Sequence, residues 1–338
     1  MDPLTQGTLG AALPQSAARS AHMVQATVCG ALAGMAPDLD VLVRSDEDPL
    51  LFLEYHRQFT HSLAFIPVGA AICALVFHLA LGRRRGWEPR LTYGFSLLGY
   101  GTHALLDACT SYGTMLLWPF SDLRIAWNNV SIIDPLVPVP LLVLVVLAWR
   151  RRRRVFAQAG MAWVVLYLLL GVAARERAEA HAEALAARRG HAPARLEVKP
   201  SFANLVLWKS IYEAEGRYHV DAVRLGLFGE PVVYPGTTVA KLDVSRDFPW
   251  LATESQQARD VERFRWFSDD FLAVDPRHPE RIGDVRYSLL PNDIRPLWAI
   301  TLDESAAPGD HVGYLNDRSR DADMTARFGR MLRGEPAE

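Results

Sequence analysis

"HRQFTHSLAFIPVGAAICALVFHLAL", residues 56–81, places two histidines and an arginine at the mouth of an uncharged apolar run. At 1.5 Å per residue, about twenty such residues cross the roughly 30 Å hydrocarbon layer of a bilayer, so 62–81 reads as a transmembrane helix. An ionisable group at the centre of such a helix costs about 2.5–3.5 kcal/mol on insertion scales, and something in the chain must offset that. Similar apolar stretches cover 91–108, 132–149 and 155–174, with a shorter and less apolar one at 21–36. The pattern predicts a mainly α membrane protein: a polytopic bundle of four to five transmembrane helices, followed by a smaller extramembrane α+β domain.

Net charge is only −2 over 338 residues, which argues against the basic face that nucleic-acid binders carry. Arginine is instead concentrated beside apolar stretches, in "RRRGWEPR" (83–90) and "RRRRR" (150–154). Short arginine-rich loops mark the cytoplasmic side, which directs residue 175 onward outside, to the periplasm in a Gram-negative cell. The opening "MDPLTQGTLGAALPQSAARS" has no basic region followed by an apolar core, so no secretory signal is expected there. Cys29, Cys73 and Cys109 are dispersed and suggest neither a disulfide framework nor a metal knuckle.

On this topology the unusual ionisable residues converge. Asp38 and Asp40 end the first apolar stretch, His56 and His61 precede the second, and His103 and Asp107 close the third. All fall on the outer side, although the arginines that set the topology are not among them. His103 and Asp107 are four apart and share one helix face, close enough to bind one ion. Histidine and carboxylate together favour a divalent metal, zinc foremost, with manganese or iron compatible. Since Asp38, Asp40, His56, His61, His103 and Asp107 exceed one tetrahedral shell, one or two ions are expected. His22 and His78 have no acidic partner at metal spacing and read as packing residues.

Around this set, Arg57 and Arg124 are candidates to clamp an anionic substrate oxygen. Thr110 and Tyr112 can supply hydrogen bonds, and Asp134 or Glu54 can accept a proton. Trp118, Phe120 and Trp127 fit an aromatic belt at the membrane interface better than a catalytic role. No nucleophile elbow, P-loop or dinucleotide fingerprint is present.

The quoted residues and their surroundings resemble the bacterial inner-membrane YdjM-like family of metal-dependent hydrolases. The similarity is carried by "MDPLTQGTLGAAL", "GALAGMAPDLDVL", "HRQFTHS", "GYGTHALLDACTSYGT", "WPFSD" and "AWNNVSIIDP", over roughly the first 150 residues, and more weakly by "KPSFANLVLW". The resemblance implies metal-dependent hydrolysis with no defined substrate, and it implies Asp38, Asp40, His56, His61, His103 and Asp107 as the metal-binding set. "HRQFTHS" and "HALLD" are also similar, more loosely, to zinc-dependent phospholipases C.

Residues 175–190 form a charged, alanine-rich helix closed by glycine. Beyond them "ANLVLWKSIYEA", "RYHVDAVRLGLF", "IGDVRYSLL" and "LWAITLD" read as strands, the first two as a hairpin across "EGR", with a helix near 255–267. The expected organisation is a membrane-embedded hydrolase domain at 1–174, a helical stalk at 175–195 and a soluble α+β domain at 196–338, periplasmic or extracellular. The expected function is a multi-pass inner-membrane hydrolase in which a metal-activated water attacks a membrane-associated substrate, a lipid-linked phosphoester or ester. Its expected partner is the lipid bilayer, with no nucleic acid. The rival readings are an ion or small-molecule transporter, and a non-catalytic scaffold with a structural metal.

Overall fold

The computed structural model describes residues 1–226, 230–319 and 322–336. In chain order the helices are α1 (Pro3–Ala17), α2 (Met23–Met35), α3 (Leu51–Tyr55), α4 (Ile66–Phe77), α5 (Arg83–Arg85), α6 (Pro89–Ala108), α7 (Pro138–Arg151) and α8 (Arg154–Arg188). The β-rich part follows, with β1 (Arg195–Pro200), β2 (Leu207–Ala214), β3 (Arg217–Arg224) and β4 (Val232–Ala240), then α9 (Val244–Asp247) and α10 (Gln256–Phe267). It ends with β5 (Leu272–Asp275), β6 (His278–Asp284), β7 (Trp298–Thr301), β8 (Gly313–Asn316) and α11 (Ala322–Arg333). Two compact units result: Met1–Leu42, Tyr55–Ala173 and Phe202–Asn204 form one, and Val43–Glu54, Ala174–Ser201 and Leu205–Glu338 form the other.

The helical unit begins with a helix that the apolar pattern did not announce. Asp2 caps α1 by accepting from the Thr5 amide, and Pro3 occupies the first turn, where its missing N–H costs nothing. Glycines then allow α1, α2 and α6 to approach backbone to backbone. A Cβ on Gly30 would lie 2.3 Å from the Gly10 carbonyl oxygen, and one on Gly99 would lie 2.4 Å from the Gly30 carbonyl oxygen. Small residues at such contacts are the usual device for packing helices in lipid.

Side chains in this unit are sorted opposite to those of a water-soluble bundle. Thr5, Gln6, Gln15, Thr92 and Ser96 are buried, whereas Val68, Ile72 and Leu75 on α4 and Leu166 and Leu169 on α8 are at least half exposed. Among the described residues, two helices are long and apolar enough to cross a membrane: Ile66–Arg85, which is α4 continued through a π-turn into α5, and Arg154–Arg188. Length and composition therefore support fewer spans than the four to five expected. At 14 residues α7 is shorter than the 132–149 stretch, because Pro135 and Pro138 delay its start until Pro138 can serve as a first-turn residue. α6 has the length but carries Thr92, Ser96, Thr102, His103 and Asp107.

The second unit contains two four-stranded antiparallel sheets, ordered β1-β2-β3-β4 and β5-β6-β7-β8. β2 and β3 form a hairpin whose turn residues Glu215 and Gly216 both have positive φ, matching the right-handed twist of the strands. The expected strand over "RYHVDAVRLGLF" ends at Arg224, and residues 227–228 of it lie outside the described residues. Ile211, Tyr218, Val220 and Val239 pack with Phe271, Ala273 and Val285 to form one core, while Ala178 and Ala182 of α8 pack on Trp208 and Val223. Segment 43–54 is held by Arg263 of α10, whose guanidinium binds Asp48 at 2.7 Å, Glu54 at 2.5 Å and Asp260 at 2.9 Å. Arg263→Ala is expected to loosen residues 43–54, and limited proteolysis of the full chain should show faster cleavage there.

Lys199 and Lys209 are direct cross-strand partners and both are buried. The Lys209 ammonium donates to Ser288 Oγ at 2.7 Å and to the Asp293 carbonyl at 2.6 Å. Burial, with the nearby Lys199 charge, outweighs the attraction of Asp293 and pushes Lys209 down to about 7. Between that value and the ordinary lysine value near 10.4, the unfolded chain binds more protons than the folded one, so stability rises with pH, by at most about 1.4 kcal/mol per unit. Amide exchange of β1–β3, corrected for intrinsic rate, should show greater protection at pH 9 than at pH 7, and Lys209→Met should flatten that difference.

Candidate metal centre

Four side chains from three segments meet at one end of the helical unit. Asp38 lies in the 3-10 turn Ala36–Leu42 that ends α2, and His61 closes the turn Phe59–His61 ahead of α4. His103 and Asp107 occupy the last turns of α6. His61 Nε2 lies 2.9 Å from His103 Nε2, 3.4 Å from Asp107 Oδ2 and 3.6 Å from Asp38 Oδ1. His103 Nε2 lies 3.3 Å from Asp38 Oδ1 and 3.7 Å from Asp107 Oδ2. A tetrahedron with metal–ligand bonds of about 2.0–2.1 Å has edges of about 3.3–3.4 Å, so the donor spacing fits one small divalent ion.

Hydrogen bonds behind the donors fix their tautomers. His103 Nδ1 is 2.6 Å from the Gly34 carbonyl, which only accepts, so this nitrogen carries the proton and Nε2 presents a lone pair. Thr60 Oγ1 donates to Asp40 Oδ2 at 3.0 Å and lies 3.0 Å from His61 Nδ1, from which it can only accept. His61 Nδ1 therefore carries a proton, and a neutral His61 would turn a lone pair on Nε2 inward. With no cation bound, burial is outweighed by the Asp107, Asp38 and Asp40 carboxylates, which push this ring up to about 10 and favour its protonated form. Two carboxylates and two imidazole nitrogens facing one point call for a positive charge among them, which a divalent cation or a proton on His61 would supply. Asp107 Oδ2 is in addition buried without an aligned hydrogen-bond donor, although Arg57 Nε is 2.9 Å away.

Asp40 has a different place from Asp38. Its Oδ1 is 2.8 Å from His56 Nδ1, and its Oδ2 accepts from the Arg57 amide at 2.9 Å, so it supports His56, Thr60 and His61 together. Such outer carboxylates orient ligating imidazoles and raise their basicity. Burial alone would raise the Asp40 carboxyl, but hydrogen bonds from His56 and His61 outweigh it and hold Asp40 well below the ordinary value. Burial pushes His56 below its ordinary value, which keeps that ring neutral. Asp38, Asp40 and His56 form a second group at metal-ligand spacing that shares Asp38 with the first.

Arg57 is the basic residue inside the centre. It is buried and adopts a left-handed backbone at φ 64°, a conformation uncommon for a residue with a Cβ. Its guanidinium contacts Asp107, donates to Thr110 Oγ1 at 3.1 Å and lies 4.8 Å from the centre of the Tyr112 ring. Arg124 approaches the same ring at 5.3 Å and donates to the Tyr112 and Gly113 carbonyls. The His56 ring meets Tyr112 edge-on at 5.4 Å. Arg57, Arg124, Thr110 and Tyr112 are thus linked to one another and, through Asp107 and His56, to the donor set.

The two carboxylates singled out as proton acceptors have other partners. Asp134 accepts from Tyr167 Oη at 2.7 Å and from the Leu136 amide at 3.1 Å, at the approach to α7. Glu54 belongs to the second unit, in the Arg263 cluster. Gln6 and the Met1 amino group are additional contacts of the centre. Gln6 Nε2 donates to Asp107 Oδ1 at 2.8 Å, and the Met1 amino group contacts the same oxygen. Their signal in the sequence was the Asp-Pro helix start, which aims α1 at the centre.

A family model described as "YdjM inner membrane protein" matches residues 1–178, more than half of the chain. A Bacillus subtilis (strain 168) protein, "Uncharacterized protein YfhP", is 24% identical over 149 residues, or 44% of this chain and 43% of the relative. The match thus spans less than half the length of that curated relative. No solved structure matches the chain.

Proposed function

Because the chain belongs to the YdjM inner membrane protein family, we propose that it is a multi-pass, metal-dependent hydrolase of the bacterial inner membrane acting on a membrane-associated phosphoester or ester. The observation that supports this most is the convergence of His61 Nε2 and His103 Nε2 with the Asp38 and Asp107 carboxylates at 2.9–3.7 Å, around the edge length of a tetrahedral metal shell. These four residues would hold the ion, zinc foremost, with manganese or iron as alternatives; a second ion against Asp38, Asp40 and His56 is the rival arrangement, in which His56 would be a ligand and not the proton acceptor. When bound, such an ion supplies Lewis acidity and lowers the pKa of a coordinated water.

The protein's own groups would do the rest. Arg57, held by Thr110 and Tyr112, presents a fixed cation to an anionic substrate oxygen, with Arg124 on the same aromatic ring. His56 is oriented by Asp40 through Nδ1, leaving Nε2 to take a proton from the attacking water. Asp134 and Glu54, committed to Tyr167 and Arg263, leave that role to His56. Asp38 is 24% exposed where His61, His103 and Asp107 are fully buried, so Asp38 forms the open edge of the centre. On this account the arginine-rich loops face the cytoplasm, and the β-rich domain is periplasmic or extracellular.

Turnover tests this reading. Protein in lipid nanodiscs, supplied with zinc or manganese and a panel of phospholipids and simple esters, is expected to release a hydrolysis product. His103→Ala should abolish release, and His56→Ala should slow it by about 10²–10⁴-fold, the usual contribution of a positioned proton acceptor. Bound metal without turnover on any of the panel would favour the structural-metal reading, which four protein ligands also fit.

A further inference from the structure

Each segment that contributes a metal-set residue also exposes a leucine beside it. Leu39, between Asp38 and Asp40, is 64% exposed, and Leu42 at the end of the same turn is 76% exposed. Leu63, two residues past His61, is 42% exposed, and Leu105, between His103 and Asp107, is 46% exposed. Pro37 and Asp40 of the Ala36–Leu42 turn point inward and are buried. In water this arrangement would expose large apolar side chains around a polar centre with no compensation.

α4, which follows the His61 turn, also exposes large apolar side chains, with Val68, Ile72 and Leu75 at 50–61%. Charge returns immediately beyond Leu42, since Arg44, Asp46, Glu47 and Asp48 follow it within a few residues. That switch fits a turn lying just below the headgroup layer, with the charged run in it.

We propose that the metal centre opens sideways into the bilayer, and that its substrate is a membrane lipid whose acyl chain lies against Leu39, Leu42 and Leu105 while its headgroup meets Asp38. This rests on the hydrolase reading for the chemistry, but the position of the leucines can be measured without metal or turnover. Cys29, Cys73 and Cys109 are buried and free, and can be replaced by alanine so that single cysteines at 39, 42 and 105 carry a nitroxide. In nanodiscs, electron paramagnetic resonance then compares collisions with oxygen, which concentrates in lipid, and with a water-soluble nickel chelate. Leu75→Cys is the lipid reference and Glu304→Cys, on the exposed surface of the β-rich domain, is the water reference.

The expected result is that oxygen dominates at 39, 42 and 105 as it does at 75. Labelling by a phospholipid with a photoreactive acyl chain should also map to residues 36–42 and be lost in Leu39→Asp/Leu42→Asp. Nickel dominating at these sites, as at 304, would overturn the proposal by showing a centre that opens to water. Exclusion of both probes would also overturn it, by showing protein cover. Metal content measured on the same samples reports the hydrolase reading separately.

Discussion

Metal affinity is expected to collapse in His103→Ala and to weaken by a smaller step in Asp40→Asn. His103 offers Nε2 to the ion directly, with its ring held by the Gly34 carbonyl, and alanine leaves nothing in its place. Asp40 acts from behind, on His61 Nδ1 and His56 Nδ1. Loss of an outer partner of this kind costs about 10–100-fold in metal affinity, and loss of the ligand itself should exceed that. Titration of metal-stripped protein with zinc by calorimetry measures both. Equal affinities in wild type and His103→Ala would remove His103 from the shell. A fall in Asp40→Asn as large as in His103→Ala would make Asp40 a ligand and move the ion towards the second group, with His56 and Asp38.

The second large effect is expected at Gly99 and Gly30. Their added Cβ atoms would lie 2.4 Å and 2.3 Å from backbone carbonyl oxygens, and backbone cannot move aside as a flexible side chain can. Overpacking usually costs about 1–3 kcal/mol, and separation of α1, α2 and α6 should bring Gly99→Val to the upper end or beyond. The same separation would pull Gln6 away from Asp107 and the Gly34 carbonyl away from His103. Gly99→Val is therefore expected to lower both thermal stability and metal content. Gly94→Ala is the control, because a Cβ there meets nothing within 4 Å. Equal melting of all three proteins in detergent would contradict this view of the helix contacts.

These contacts also show what the sequence could and could not reveal. The histidines and aspartates stood out because each is ionisable at the end of an apolar stretch, and the structure brings Asp38, His61, His103 and Asp107 to one point. The distinct place of Asp40 depends on the irregular turns Ala36–Leu42 and Phe59–His61, whose side-chain directions no period describes. α1 has little apolar signature, because its inward face is Thr5, Gln6 and glycine, not leucine. Its clues were the Asp-Pro start and the glycine spacing. The hairpin of β2 and β3 was legible from Glu215 and Gly216, whereas Val232–Ala240, containing Pro235 and Gly236, does not read as a strand although it pairs with β3. Apolar character alone places the start of α7 too early, because it does not register that prolines delay a helix.

This membrane protein is expected to hold a divalent metal between His61, His103, Asp38 and Asp107. The most direct measurement is elemental mass spectrometry of wild-type protein purified in mild detergent without chelator, together with X-ray absorption at the edge of whichever metal is found. One or two equivalents of zinc, manganese or iron per chain are expected, with imidazole nitrogen and carboxylate oxygen bound to the metal. Protein that is folded yet holds no stoichiometric metal, even after zinc, manganese and iron are added back, would contradict it.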